Sequence, residues 1–291
     1  MAAAAAPDLL FNHRNNFYLG AYQAAINNSD VPNLSSDDSI ERDSFVYRSY
    51  IALGSHQLVI SEIDDSAPMA LQAVKLLAMY FSGADKESTI SSLKEWLGDP
   101  AIGSNPTLRL VAGTIFMHEQ DYNEALKHTN AGGTMELHAL NVQIYLKIYR
   151  SDYAEKQLKI MQQIDEDHTL TQLANAWINL AVGGSKINEA YLIFQDFSER
   201  YPATVLILNG MAVCCMHMGN FEEAETLLLD ALNKDTKDPE VLANLVVCSL
   251  HLGKPPSRFL SQLKSAHPEH TLVKRTAAAE ETFDRAVQAF A

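Results

Sequence analysis

The chain has 291 residues, 47% of them hydrophobic, and carries 36 acidic against 22 basic side chains for a formal charge of −14. That balance excludes a phosphate-backbone binder, which needs clustered Lys and Arg, so no nucleic-acid partner is expected. It also disfavours direct attachment to anionic lipid, so any membrane contact is expected to be indirect. The apolar content is too high for general disorder.

In chain order, the start from Met1 to Pro7 lacks a basic n-region and meets Pro7 and Asp8 too early for a signal peptide. No apolar run approaches the roughly 18 residues of a spanning helix. Both point to a cytoplasmic chain, in which the sequons at Asn27 and Asn33 stay unmodified. Phe17, Tyr18, Tyr22 and Ile26 recur at helical spacing and predict a helix over Arg14–Asn27. The polar stretch Ser29–Asp43 reads as a loop and then a helix start. Phe45–Leu53 and His56–Ile63 form a hairpin turning at Gly54. Pro68 suits the first turn of a helix over Met69–Phe81, where its missing N–H is not needed. Ser88–Leu97 makes another helix, and Gly98 to Pro106 is a break.

A repeat then becomes visible. Gly219-Asn220-Phe221-Glu222-Glu223-Ala224, Gln120-Asp121-Tyr122-Asn123-Glu124-Ala125 and Lys186-Ile187-Asn188-Glu189-Ala190 share one grammar, and Ala190 and Ala224 lie 34 residues apart (224 − 190). Such a period, with alanine early in a second helix, is the tetratricopeptide signature. Counting Ala125 as position 20 of the unit puts Gly113 at position 8; Ala212 and Ala224 repeat the pair. These small residues are expected to face each other where paired helices cross, roughly 8–10 Å apart. The middle of the array is irregular. Position 20 there falls on Lys156 (190 − 34), Asn130-Ala131-Gly132-Gly133 turns the chain early, and Gly183-Gly184 interrupts the next unit.

The predicted fold is therefore all-α, a tetratricopeptide-like helical-hairpin solenoid with irregular, strongly curved stacking. It is expected as a single solenoid over 1–291, with divergent hairpins over 14–97, clearer units over 107–253 and capping helices over 256–291. In the last helix Phe283, Ala286, Val287 and Phe290 follow i, i+3, i+4, i+7, while Glu280, Glu281, Asp284 and Arg285 face water.

A solenoid offers grooves for partners rather than an enclosed catalytic pocket. The groove face of the first helices carries positions 5, 9, 12 and 13. Counting along the units assigns to it Met117, His118, Tyr145, Tyr149, Val213, Met216, His217, Val247, Leu250 and His251. These are apolar, aromatic or histidine side chains, suited to an apolar segment of a large partner. The histidines at position 13 sit about 10 Å apart by helix packing, whereas zinc needs nitrogens near 2 Å, so no metal is expected. Cys214, Cys215 and Cys248 are too few and wrongly spaced for a disulfide framework or a zinc site. Gly183-Gly184-Ser185-Lys186 lacks the spacing of a phosphate loop, and no nucleophile or metalloprotease motif occurs. Neither catalysis nor a cofactor is expected.

Several segments give the chain a family resemblance: Phe17-Tyr18-Leu19-Gly20-Ala21-Tyr22-Gln23, Leu173–Ala190 with Trp177-Ile178-Asn179-Leu180-Ala181-Val182-Gly183-Gly184, Gly219–Ala224, and Ser261-Gln262-Leu263-Lys264 followed by His267-Pro268-Glu269-His270. In these it resembles the epsilon subunits of coatomer, the coat complex of COPI vesicles. The resemblance implies a noncatalytic coat component that curls around the carboxy-terminal region of the alpha subunit and acts in Golgi-to-ER and intra-Golgi transport. The rival reading is a cytosolic tetratricopeptide cochaperone or scaffold for another peptide. Such cochaperones clamp a carboxylate with Lys, Asn and Arg on the groove face, a set that the positions above do not supply.

Overall fold

In the computed structural model, which describes residues 8–290, every regular element is a helix. The start from Met1 to Pro7 discussed above lies outside the described residues. The helices are α1 (Phe11–Tyr18), α2 (Tyr22–Asn27), α3 (Ser36–Ala52), α4 (His56–Glu62), α5 (Met69–Ser82), α6 (Lys86–Gly98), α7 (Pro106–His118), α8 (Tyr122–Thr129) and α9 (Met135–Lys147). They continue as α10 (Ser151–Ile164), α11 (Thr169–Val182), α12 (Lys186–Arg200), α13 (Val205–Met218), α14 (Phe221–Lys234), α15 (Pro239–His251), α16 (Ser257–Ala266) and α17 (Thr271–Phe290). Contacts divide the chain into two compact units, one ending at Val182 and the other starting at Gly183.

The helix starts follow local chemistry. Asn105 accepts hydrogen bonds from the N–H groups of Thr107 and Leu108, with Pro106 as the first helical residue of α7. Asp121, Thr134, Thr204 and Asp238 cap α8, α9, α13 and α15 in the same manner. Pro68 is the N-cap of α5 rather than a residue of its first turn. The helix expected over Arg14–Asn27 is two helices. Gly20 takes φ of 80° between them, a left-handed conformation that only glycine adopts freely, and the chain reverses there.

In unit 1 the odd-numbered helices from α3 to α11 pack side by side, each neighbour on the next. Leu76, Leu77, Val111, Ile115, Leu93 and Ile144 are among the apolar residues buried between them and their hairpin partners. Helix α1 packs on α3 and also on α11, so this unit curls back onto its own beginning. The closure is polar as well as apolar. Thr169 Oγ1 donates to Asn15 Oδ1, and the Arg48 guanidinium donates to both carboxylate oxygens of Glu136 at 2.6 and 3.2 Å. Arg48 also packs on the Phe17–Phe45 ring pair, 4.5 Å from the Phe17 ring centre and 5.1 Å from that of Phe45.

Unit 2 stacks α12 to α16 consecutively around Leu208, Ala212, Leu228, Leu245 and Leu263. Its three cysteines are free and buried, and burial pushes the Cys214 thiol up to about 12 and the Cys215 thiol up to about 11, well away from thiolate chemistry. Helix α17 begins at Thr271, three residues beyond Pro268, and packs on α16, with Val273 buried in the core of this unit. Its apolar stripe stays open: Phe283, Val287 and Phe290 are 69%, 51% and 95% exposed.

Candidate functional site: the groove faces of the two units

The geometry of the hairpin turns fixes the register of the groove faces. Six first helices end with one hydrogen-bond pattern, in which a left-handed residue donates its N–H three residues back and the next residue donates five back. The left-handed residues are Gly20, Gly54, Gln120, Tyr149, Gly219 and Gly253. Five residues beyond the first five of these stand Ala25, Val59, Ala125, Ala154 and Ala224, all wholly buried. The crossing residue of the middle hairpin is thus Ala154, not Lys156. Because α8 ends early, at Thr129, the interval from Ala125 is 29 residues (154 − 125).

This register moves two of the expected groove residues. Tyr149 is the turn residue itself, at φ 59° and 91% exposed, equivalent to Gln120 and Gly219 rather than to His118. Tyr145 is only 8% exposed, its ring stacked on Tyr153 of α10 at 5.3 Å. The groove face of α9 instead carries Gln143, Leu146 and Lys147. Their burial matches that of their equivalents. Thr114, Gln143, Val213 and Val247 are half-buried; Met117, Leu146 and Met216 are half-buried, with Leu250 60% exposed; His118, Lys147, His217 and His251 are exposed.

The other expected residues are divided between the two units. In unit 1, His118 packs edge-on against Phe81 at 5.0 Å, and this partial burial, with the charges of Lys86 and Lys147, holds its pKa below the usual imidazole value. Tyr80 donates a hydrogen bond to Glu119 beside it. In unit 2, His251 stacks flat on Phe221 at 4.2 Å. Around these rings Val213, Met216, Val247 and Leu250 present an apolar strip, on a stack held together by Asn244 donating to Asn209. Among the described residues no three His, Cys, Asp or Glu side chains converge as metal ligands.

The small residues expected at the helix crossings are all buried: Gly113, Ala125, Ala190, Ala212 and Ala224. A Cβ on Gly113 would lie 2.3 Å from Thr129 Cγ2 and 2.7 Å from Leu140 Cδ2, so glycine is there for close packing. Arg48 is the groove residue that counting along the sequence misses. It lies six residues before Gly54, as Thr114 lies before Gln120, but it is 14% exposed at the side chain and tied to Glu136.

The family model described as coatomer epsilon subunit matches residues 6–291 of the chain. The chain is 75% identical over 292 residues to coatomer subunit epsilon-1 of Arabidopsis thaliana, covering all of both chains. It is 37% identical to coatomer subunit epsilon of Dictyostelium discoideum, across 95% of this chain and 97% of that one. Among solved structures, a tetratricopeptide repeat protein from Parabacteroides merdae superimposes with a TM-score of 0.61 at 13% identity, covering 88% of this chain and 96% of that one. A chain of the APC/C hetero-tetramer Cut9-Hcn1 gives the same TM-score at 15% identity, over 92% of this chain and 53% of that one. At such identities these two likenesses establish the helical-hairpin fold alone.

Proposed function

The chain belongs to the coatomer epsilon-subunit family, and from that premise we propose that it binds and stabilises the carboxy-terminal region of the coatomer alpha subunit within the COPI coat. It acts there as a scaffold, without catalysis, in Golgi-to-ER retrograde and intra-Golgi transport. It reaches Golgi membranes and vesicles from the cytoplasm through the rest of the coat.

The observation that carries this reading is the open apolar strip of unit 2, formed by Val213, Met216, Val247 and Leu250 with His217 and His251 at its margin. Adjacent helices repeat the strip in register, which suits a partner segment laid across them. None of these residues is Lys or Arg, so the strip lacks the Lys/Arg clamp for a terminal carboxylate that cochaperones use. Met117 and His118 carry the same face in unit 1.

The test is a pull-down of the other coatomer subunits from cytosol, comparing wild type with Met216→Asp/Leu250→Asp. Wild type is expected to recover them stoichiometrically through alpha, and the double variant to lose them while its far-ultraviolet circular dichroism stays helical. Undiminished recovery by the double variant would place the interface elsewhere. Recovery of chaperone tails in place of coat subunits would favour the cochaperone reading.

A further inference from the structure

Within unit 1 a small cleft opens between α9 and α11, lined by Gln143, Leu146, Lys147 and Trp177, with a volume of about 280 Å³. It lies under the roughly 300–1,000 Å³ typical of small-molecule sites, and its scale is that of one inserted side chain. Its walls are mainly apolar, from Leu146 and the half-buried Trp177. At the groove's other end, Glu136 and Thr169 are taken by Arg48 and Asn15. Trp177 lies eight residues beyond Thr169 along α11 (177 − 169), roughly 12 Å away at the helical rise, clear of that closure.

The charge at this cleft runs against that of the chain. Although acidic residues outnumber basic ones by 36 to 22, none of the four lining residues is a carboxylate. Lys147 is exposed, and its ammonium makes no ion pair among the described residues that would occupy it. Lys86 lies on the same side of the unit. It rests on the Tyr80 ring at 4.9 Å and, like Lys147, lies close enough to His118 to oppose its protonation. Glu119, next to His118, acts on it in the opposite sense, so the positive charge at the apolar slot itself is that of Lys147.

We propose that this cleft receives a large apolar side chain from an extended segment of the alpha subunit, with a neighbouring Asp or Glu of that segment held by Lys147. The proposal rests on the alpha-binding reading above and adds the chemistry of one contact: an apolar anchor beside a carboxylate. The anchor fills the slot against Trp177 and Leu146, and the ammonium selects the acid over a basic or neutral neighbour.

The chain holds two tryptophans, so Trp96→Phe leaves Trp177 as the only indole reporter. In that background, titrating the alpha carboxy-terminal fragment is expected to shift Trp177 emission to the blue, saturably and less strongly as salt rises. Lys147→Glu is expected to weaken the fragment's affinity about tenfold and to flatten its salt dependence, with Lys147→Arg retaining both. Lys127→Glu, a charge reversal outside the cleft, is expected to bind as the parent does. If the fragment binds while Trp177 emission is unmoved and Lys147→Glu matches the parent, the cleft proposal falls and the alpha reading stands. If the parent chain does not bind the fragment at all, both fall. A blue shift that grows with the chain's own concentration, at dimer mass in light scattering, would make a second copy the occupant and overturn alpha.

Discussion

At the residue scale the fold depends on a few positions where no larger side chain fits. Gly113 faces Thr129 and Leu140 at distances that no Cβ tolerates, and Thr129 cannot withdraw freely because its hydroxyl is bonded to Ala125 and Asn141. Gly113→Ala gains up to about 1 kcal/mol of helix propensity, but overpacking costs about 1–3 kcal/mol. Net destabilisation is therefore expected, as a lower urea midpoint with unchanged m-value. His13 shows a different constraint. It is 2% exposed, neither ring nitrogen has a partner at good hydrogen-bond geometry, and burial lowers its pKa, aided by the charge of Arg14 and opposed by the Arg42 backbone and by Glu41. A histidine harder to protonate when folded leaves stability complete above about pH 6.5 and erodes it as pH falls below that, because the unfolded chain takes the proton first. His118 and His168 are shifted in the same direction. His13→Leu is expected to flatten the decline in stability between pH 7 and 5, by at most about 1.4 kcal/mol per pH unit, the limit for one proton. Denaturation curves at matched ionic strength measure that slope.

At the element scale, helix α1 is held by contacts far apart in the chain. Arg48 and Glu136 are 14% and 21% exposed, and Arg48 packs on the rings of both Phe17 and Phe45. Glu136→Gln leaves the cation without its counter-charge, a change that costs about 3–5 kcal/mol in a fully buried setting. The residual exposure places the expected loss near the lower bound. Arg48→Met combined with Glu136→Leu is expected to recover most of it, since an apolar pair removes the stranded charge. Faster hydrogen exchange across α1 in the single variant, and its reversal in the double, checks the assignment. Sequence reading found the regular hairpins because Gly113, Ala125, Ala212 and Ala224 keep their spacing, and it missed others for physical reasons. Tyr149 takes a left-handed turn that glycine occupies in most other hairpins, which hides the turn and shifts the apparent groove by two residues. Gly20 breaks a run of aromatic residues that reads as one continuous helix. The Arg48–Glu136 pair spans 88 positions, and no local pattern announces it.

At the scale of the whole molecule, charge decides how the chain meets a membrane. With a formal charge of −14 it is repelled by anionic lipid, whose surface attracts basic segments at about 1 kcal/mol per Lys or Arg. No helix among the described residues is long and apolar enough to cross a bilayer. The nearest approach to a lipid-binding element is α17, whose Phe283, Val287 and Phe290 form an open apolar stripe. Interfacial helices join such a stripe to a strongly basic opposite face. Here Glu280, Glu281 and Asp284 stand among the exposed residues of the same helix, and Arg285 is paired with Glu281. Purified chain is therefore expected to stay unbound in flotation with vesicles of phosphatidylserine and phosphatidylcholine, at low salt as well as physiological salt. It should float only when the remaining coat subunits are recruited with it. Flotation of the chain alone, abolished by Phe283→Ser/Val287→Ser, would instead make α17 a direct membrane contact and remove the reason for routing this protein to the membrane through its partners.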